Sequence, residues 1–482
     1  MKVARNEPTR VAVGDRVVLD SESQYARQIG RSALFAASAV IILELTRYHY
    51  ASGVTTVGAL TWSLSLSLAL ILAARGILLG RPITVGHGTA SVVVVATGVV
   101  MHMLSVPLLG DGLVAGAGLV LTWPVSSRRD PAALSRMWTL IEATHGDPLA
   151  PFAMQAMKSY YFNADGSAAI AYCARLGLAV VSGDPIGQSS QFPQLASDFA
   201  GMCRRHGWRV VVLGCGEQWV TLWRDRAVVG QSLRAIPIGR DVVVDVSHFE
   251  MAGRKYRNLR QAVQRTHNAG IATEVVDEQH LDHTLADELA EVLNASHRGT
   301  HVQRGFSMIL DSPLEGRYPG VQLIIARDSS GRVQGFQRYA TAGGGTDVTL
   351  DVPWRRPGAP NGIDERMSVD MIEYCKGLGG QRLSLAFGAF PEIFDSKNRS
   401  FIEGVYYLLI HLGHSLIKLE SLYRYLRKFN AFDQRRYVML AWRQIPVALV
   451  VLLSLEFVPH PRRYPSRHRR QPQCDPVTDA RG

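Results

Sequence analysis

The chain has 482 residues, 52 Lys plus Arg against 41 Asp plus Glu, and five cysteines (Cys173, Cys203, Cys215, Cys375, Cys474) with no C-x-x-C pair. That length is too great for one compact core, and scattered cysteines exclude a disulfide framework and a thiolate metal site, which fits a reducing, cytosolic setting. The excess of positive charge favours polyanionic partners, nucleic acid or anionic lipid, and leaves the fold open.

A mixed, charged arm over residues 1–31 precedes four apolar stretches at about 33–52, 55–74, 83–104 and 106–125. Spanning the hydrocarbon core takes ~20 mostly apolar residues, so the pattern predicts four transmembrane helices within 32–127. Glu44 and Arg47 lie in the first stretch; charge at membrane depth is costly, so that helix is expected to end near Leu45. The polar run before it and the three apolar runs after it argue against a cleaved signal peptide. Lys2, Arg5, Arg10, Arg16, Arg27 and Arg31 fall on one side, with Arg75, Arg81, Arg128, Arg129 and Arg136, whereas the opposite loops hold Arg47 and Asp111. By the positive-inside rule both ends, and everything after Val125, are cytosolic. Gly112 and Gly116 form a G-x-x-x-G in the fourth stretch, which predicts helix packing.

From about residue 130 the pattern becomes α/β. Ser167–Ala174 and Gly177–Val181 are expected to be paired strands running into the turn SGDPIG, residues 182–187. A helix at Phe192–His206 stops at Gly207, and Val210–Leu213 and Asp241–Val246 have the pattern of buried strands, with Glu217–Asp225 helical and Gly239-Arg240-Asp241 a turn between them. The run Gly253–Gly270 is an amphipathic helix with Tyr256, Leu259 and Val263 on one face and Arg254, Lys255, Arg257, Arg260 and Arg265 supplying charge. Such a row can neutralise phosphates, or it can be a solvated helix face.

A helix at Asp282–Ala295, strands at Gln322–Arg327, Val333–Thr341 and Arg382–Phe387, a helical run His411–Phe429 and a strand Tyr437–Ala441 follow. Two successive units of mainly antiparallel strands with interleaved helices predict a tandem α/β acyl-transfer fold, at 128–280 and 281–445. Within the second, Thr349–Cys375 runs from a strand ending at Asp351 through a loop with Arg355, Arg356, Asn361 and Gly362 into a helix with Ile363, Met367, Met371 and Cys375 spaced by four. A carboxylate, two guanidinium groups and a helix N-terminus are thereby brought close, which suits a carbonyl oxygen or a phosphate. Read from the residues alone it is a reaction centre or a solvated loop. Residues 446–482 hold an apolar helix, Ile445–Val458, and a tail with Arg462, Arg463, Arg467, Arg469 and Arg470, which suits either an interfacial helix or a core helix with a loose end. Nucleophile-elbow, Walker and dinucleotide motifs are missing, and His411-x-x-His414 has no evident third ligand, so no metal is expected.

SGDPIG (182–187), the run at 238–270, RGFSM (304–308), TLDVPWRRPGAPNG (349–362) and SLYRYLRKFNAFDQRRYVML (421–440) occur in one order. In that order they resemble the cytosolic domain of bacterial phosphatidylglycerol lysyltransferases, the multiple peptide resistance factor family, over about 130–442. The resemblance implies a tandem acetyltransferase-like (GNAT) domain, no cofactor, and transfer of an aminoacyl group from aminoacyl-tRNA to a hydroxyl of an anionic membrane phospholipid at the bacterial inner membrane. It places the strand-end carboxylate on Asp351, the basic residues on Arg355 and Arg356, and the late lysine on Lys428, with Asn361, Gly362, Asp241, Phe306, Ser307 and Arg436 binding substrate and Arg254 to Arg265 binding tRNA. Asp351 is then expected to hold the α-ammonium of the aminoacyl group, Arg355 or Arg356 the terminal tRNA phosphate or the ester oxyanion, and Lys428 the headgroup phosphate or oxyanion. Trp354 stands where the family has its basic residue three positions after the Asp, so which arginine acts stays open, and Gly-Arg-Asp at 239–241 replaces Gly-Glu-Glu. No multi-helix flippase region or synthetase domain accompanies it, so export is expected to need a separate flippase. Diacylglycerol as acceptor, an acyl-CoA-dependent transferase and a non-enzymatic membrane scaffold are the alternatives.

Overall fold

The structure, a computed structural model, describes residues 17–19, 24–50, 55–296, 302–304, 306, 309–389 and 416–459. By its contacts the chain divides into two compact units, Met1–Ser127 with Ala174–Val180 and Ser197–Val210, and Arg128–Cys173 with Val181–Ala196 and Val211–Gly482. The arm residues Lys2 to Arg16, Ser307, His411, His414 and the tail arginines lie outside the described residues.

The first unit is built on helices α1 (Gln24–Tyr50), α2 (Thr55–Leu78), α3 (Val85–Met103) and α4 (Pro107–Leu121), with a small ribbon of β1 (Val17–Leu19) on β2 (Ile83–Thr84). Three segments, Gln24–Arg47, Leu60–Leu78 and Val85–Met103, are long and apolar enough to cross a membrane. The fourth expected span is a helix of only 15 residues, short of the ~20 that crossing takes. Helix α1 continues past Leu45 because Glu44 and Arg47 pair at 3.5 Å, one turn apart, and offset each other's charge. Phe35, Ile42, Val92, Val99 and Leu108 are exposed on the outer faces, as contact with hydrocarbon chains requires.

Close approach within this bundle falls at other small residues than the expected pair. A Cβ on Gly118 would lie 2.0 Å from the Ala69 carbonyl, and one on Gly98 2.9 Å from that of Gly110, whereas Gly112 and Gly116 have open space. The G-x-x-x-G spacing is therefore on the wrong face. The face packed inward carries Gly110, Val114, Ala117 and Gly118, and the Ser91 hydroxyl donates to the Ala117 carbonyl across it at 3.0 Å. Gly207, with φ +67, lets the chain pass the Gly80 carbonyl, which a Cβ would meet at 2.3 Å.

Strands β3 (Ser159–Phe162), β4 (Ala168–Arg175), β5 (Leu178–Ser182), β6 (Ile186–Gly187), β7 (Arg209–Gly216), β8 (Arg234–Asp245), β9 (Ala272–Asp277), β11 (Val321–Arg327), β12 (Val333–Ala342), β13 (Asp347–Arg355), β14 (Arg382–Ala389) and β15 (Phe432–Leu440) form one twelve-stranded sheet. Its order is β3-β4-β5-β7-β15-β8-β14-β13-β12-β11-β9, with β6 on β4. The pairing of β13 with β14 is parallel, and the crossover it needs is supplied by a helix, Ile363–Gly377. β12 with β13, β14 with β8 and β8 with β15 are antiparallel. A further strand, β10 (Val302–Arg304), pairs with β16 (Phe457–Pro459).

The remaining helices are α5 (Leu134–Ala143), α6 (Phe192–Arg205), the short α7 (Val220–Arg224) and α8 (Arg226–Val229), α9 (Arg257–Asn268), α10 (His283–Ser296), α11 (Ile363–Gly377), α12 (Leu416–Arg427) and α13 (Ile445–Glu456). The expected apolar helices followed by an α/β domain are thus what the chain forms. Two local expectations fail. β8 runs straight through Gly239-Arg240-Asp241, where a turn is expected, because the glycine serves close packing: a Cβ there would lie 2.3 Å from the Gly388 carbonyl of β14. β13 continues four residues beyond Asp351, so Arg355 is a strand residue.

Helix α11 buries Ile363, Met367, Met371 and Cys375 as the spacing predicts, in a core shared with Val244, Leu259, Tyr339 and Leu383. Gly362 opens it with φ +101, and a Cβ there would lie 2.7 Å from the Ala262 carbonyl of α9. Gly362→Ala is expected to destabilise the second unit by about 1–3 kcal/mol, through left-handed strain and loss of this approach. Thermal unfolding in detergent checks this, and an unchanged midpoint would contradict it.

Candidate active site

The second unit encloses a cavity of about 1280 Å³. Its lining includes the apolar residues Leu149, Phe152, Ile186, Leu213, Phe387, Leu422 and, from α13, Leu452 and Leu453, together with charged ones. The charged side chains fall into three groups, each held by a different set of strands and helices.

The first group centres on Arg338 of β12, a position whose side chain is fully out of solvent. It pairs with Asp351 of β13 at 2.9 Å and with Glu278, in the turn after β9, at 2.8 Å. The Leu310 backbone N–H donates to the second Asp351 oxygen at 2.9 Å. Burial strips water from this carboxyl and pushes it up to about 7, against the pull of Arg338 and the Leu310 N–H.

The second group centres on Arg436 of β15, which donates at 2.5 Å to Asp184 and at 2.6 Å to Asp241 of β8. Asp184 also accepts the Gly216 N–H at 2.8 Å. Asp147, beside them on the cavity wall, accepts the Leu149 N–H at 3.1 Å. Three carboxylates thus surround one guanidinium. Burial pushes Asp147 up to about 7, with Arg436 opposing and Asp184 adding to the rise. Burial acts to lower Arg436, but the three aspartates more than reverse it and hold the guanidinium charged. One Asp241 oxygen is buried with no hydrogen-bond partner among the described residues.

The third group lies at the entry to α11. Arg355 is exposed and stands 3.4 Å from Asp364, whose carboxyl burial pushes up to about 6. Lys428 pairs with Glu365. Arg356 donates to the Val333 carbonyl at 2.8 Å and lies 3.2 Å from Glu291 of α10.

Of the residues singled out from the sequence, Asp351, Arg355, Arg356, Asn361, Gly362, Lys428, Arg436 and Arg265 all border this one cavity, with Asp241 directly behind Arg436. Phe306 is not on the cavity wall: it is fully buried, under the Lys158 ammonium at 5.2 Å. Arg254, Lys255 and Arg257 are exposed on the turn leading into α9 and at its start. Arg260 is spent on the Met251 and Gly253 carbonyls, at 2.6 and 2.8 Å. The sequence reading missed Asp147, Asp184, Glu278 and Arg338. Asp184 lies in the turn motif SGDPIG, and Arg338 is the one charged residue of Val333–Ala342. No group of three or more His, Cys, Asp or Glu that could hold a metal ion occurs among the described residues.

The chain matches the family described as phosphatidylglycerol lysyltransferase, C-terminal, over residues 138–440. An MprF-like domain protein of Mycobacterium tuberculosis is 58% identical over 447 residues, 93% of this chain and 92% of that protein. The lysylphosphatidylglycerol biosynthesis bifunctional protein LysX of Mycobacterium avium is 32% identical over 255 residues, 52% of this chain, which spans only 21% of that relative's length. Among solved structures, L-PGS from Bacillus licheniformis aligns with 69% of this chain and 98% of its own at a TM-score of 0.58 and 19% identity. A C-terminal domain (DUF2156) from Agrobacterium fabrum aligns with 67% and 98% at 0.56 and 21%. At those identities the two structures are a likeness of fold.

The raised carboxyls set a pH dependence. Asp147, Asp351 and Asp364 hold protons up to about 7, 7 and 6 in the folded chain, against about 4 when unfolded. The folded chain therefore binds more protons than the unfolded chain between these values, and their contribution to stability is lost as pH rises through about 6–7. The thermal unfolding midpoint is expected to fall between about pH 5 and pH 8; a rise over that interval would contradict it.

Proposed function

The chain belongs to the phosphatidylglycerol lysyltransferase C-terminal family, and from that premise we propose that it is a membrane-bound aminoacyltransferase moving an aminoacyl group from aminoacyl-tRNA to a hydroxyl of phosphatidylglycerol. The observation that supports this most directly is one cavity lined by acidic side chains, which suit an ammonium group, by basic ones, which suit phosphate, and by apolar ones, which suit acyl chains. An aminoacyl ester is already activated, so its transfer between hydroxyls is nearly isoenergetic. It needs alignment of the two partners, removal of the acceptor proton, and donors for the oxyanion.

Asp351 is the residue proposed to take the acceptor proton, since a carboxyl lifted to about 7 is matched to a base working near neutrality. Its oxygens already accept from Arg338 and Leu310 N–H, so an ammonium is better served elsewhere. Asp147 and Asp184, with the unpartnered oxygen of Asp241 behind them, supply that acidic lining. Arg355 and Lys428 stand at the cavity with carboxylate partners they can exchange for phosphate or oxyanion oxygens. Arg254, Lys255, Arg257 and Arg265 are proposed to hold the tRNA backbone, with Arg265 at the cavity rim. The apolar helices α1 to α3 are proposed to tether the enzyme at the bilayer, where acceptor is concentrated, and the distribution of arginines supports a catalytic unit on the cytosolic face of the bacterial inner membrane.

Labelled aminoacyl-tRNA supplied to the purified protein in vesicles is expected to label phosphatidylglycerol, with RNase abolishing the product and diacylglycerol or acyl-CoA failing as acceptor or donor. Asp351→Ala should lower this transfer by about 100-fold or more; undiminished transfer in the folded variant removes Asp351 from the centre. Replacing Arg254, Lys255 and Arg257 together by Ala should raise KM for tRNA and flatten its dependence on salt. An unchanged salt dependence excludes this segment as the nucleic-acid contact.

A further inference from the structure

We propose that Glu278 and Arg338 are positioning residues for the transfer reaction, holding the Asp351 carboxylate in one orientation behind the cavity wall and setting how readily it accepts a proton. This rests on Asp351 being the reaction-centre acid.

Arg338 is shared. Its Nη1 donates to Asp351 Oδ2 at 2.9 Å, and its Nη2 and Nε donate to Glu278 Oε2 at 2.8 and 3.1 Å. Nη1 also reaches the carbonyls of Leu310 and Asp311 at 3.2 and 3.1 Å. The other Glu278 oxygen accepts the Leu314 N–H, and the other Asp351 oxygen the Leu310 N–H. The segment Leu310–Leu314 therefore hangs from the three side chains by its own backbone, and Ile309, next to it, borders the cavity. Rotating Asp351 out of line would break this segment's hydrogen bonds as well as the ion pair.

The charge balance gives the triad a second property. Two carboxylates face one guanidinium, and all three side chains are fully out of solvent. A buried charge without a partner is far from its best state, so such a triad favours holding one extra proton. Among the described residues, Asp351 is faced by Arg338 from β12 and by Glu278 from the turn after β9. The segment after Phe306 offers it the Leu310 N–H, while its Asp311 carboxylate is turned to the Tyr318 hydroxyl. Burial is what chiefly lifts Asp351 to about 7; Arg338 opposes the lift and Glu278 adds to it. An apolar cluster of similar volume would join the same strands without the desolvation of three ionic groups.

The test is the pH dependence of aminoacyl transfer to phosphatidylglycerol, measured with the full chain in vesicles. For the unaltered protein an acidic limb is expected near the Asp351 value, about 7. Glu278→Gln leaves the guanidinium to Asp351 alone and should move that limb to lower pH by about 1 unit. Arg338→Lys keeps the charge while losing the fork that spans both acids. It should leave the limb within about 0.3 unit and lower kcat with little change in KM. A limb that stays in place in Glu278→Gln, while Asp351→Ala abolishes transfer, overturns the proposal and leaves Asp351 at the centre. Undiminished transfer by Asp351→Ala removes the premise and the proposal with it. Loss of the cooperative unfolding transition in both Glu278→Gln and Arg338→Lys would make the triad a folding element only, and likewise overturn the proposal.

Discussion

The enclosure of Arg436 by carboxylates is the interaction on which the site depends. Arg436 sits in β15, near the end of the described chain, and its partners Asp184 and Asp241 are 252 and 195 positions earlier. One side chain thus fixes the turn after β5 and the middle of β8 against β15. Buried ion pairs of this kind add little to net stability, since desolvation offsets most of the attraction, but removing one member leaves charges that cost about 3–5 kcal/mol. The geometry is therefore enforced more by the cost of losing it than by the gain of having it. Asp147 stands beside these pairs, its carboxyl pushed up to about 7 by burial.

The cavity repeats that pattern at its other end. Arg338 is outnumbered by Asp351 and Glu278 as Arg436 is by its aspartates. The cavity holds both signs: Asp147, Asp184, Asp351, Asp364 and Glu365 line it together with Arg265, Arg355, Arg356, Arg424, Lys428 and Arg436. Charged groups of opposite sign held in one space suit a substrate that itself carries both.

Much of the fold was legible locally. The four-residue spacing of α11, the paired β4 and β5 and the amphipathic α9 each leave a mark within a single window of sequence. So did the gathering of Asp351, Arg355, Asn361 and Gly362, because one strand, one loop and one helix carry all four. What escaped depends on partners far along the chain. Glu278 and Arg338 are 60 residues apart, and nothing within either neighbourhood marks the pairing. The small residues of α4 illustrate a different failure: the spacing at Gly112 and Gly116 is right for packing, but the face that packs is set by which neighbours are present, which spacing does not encode.

Helix α4 has a consequence for the lipids around it. At 15 residues it is about 22 Å long, against a hydrocarbon core of about 30 Å, and Leu108, Leu109 and Leu119 on it are exposed. An apolar surface that short would oblige a bilayer meeting it to thin locally, or the chain to cover it with flanking side chains or a second copy, at a fraction of a kcal/mol for each Å of mismatch.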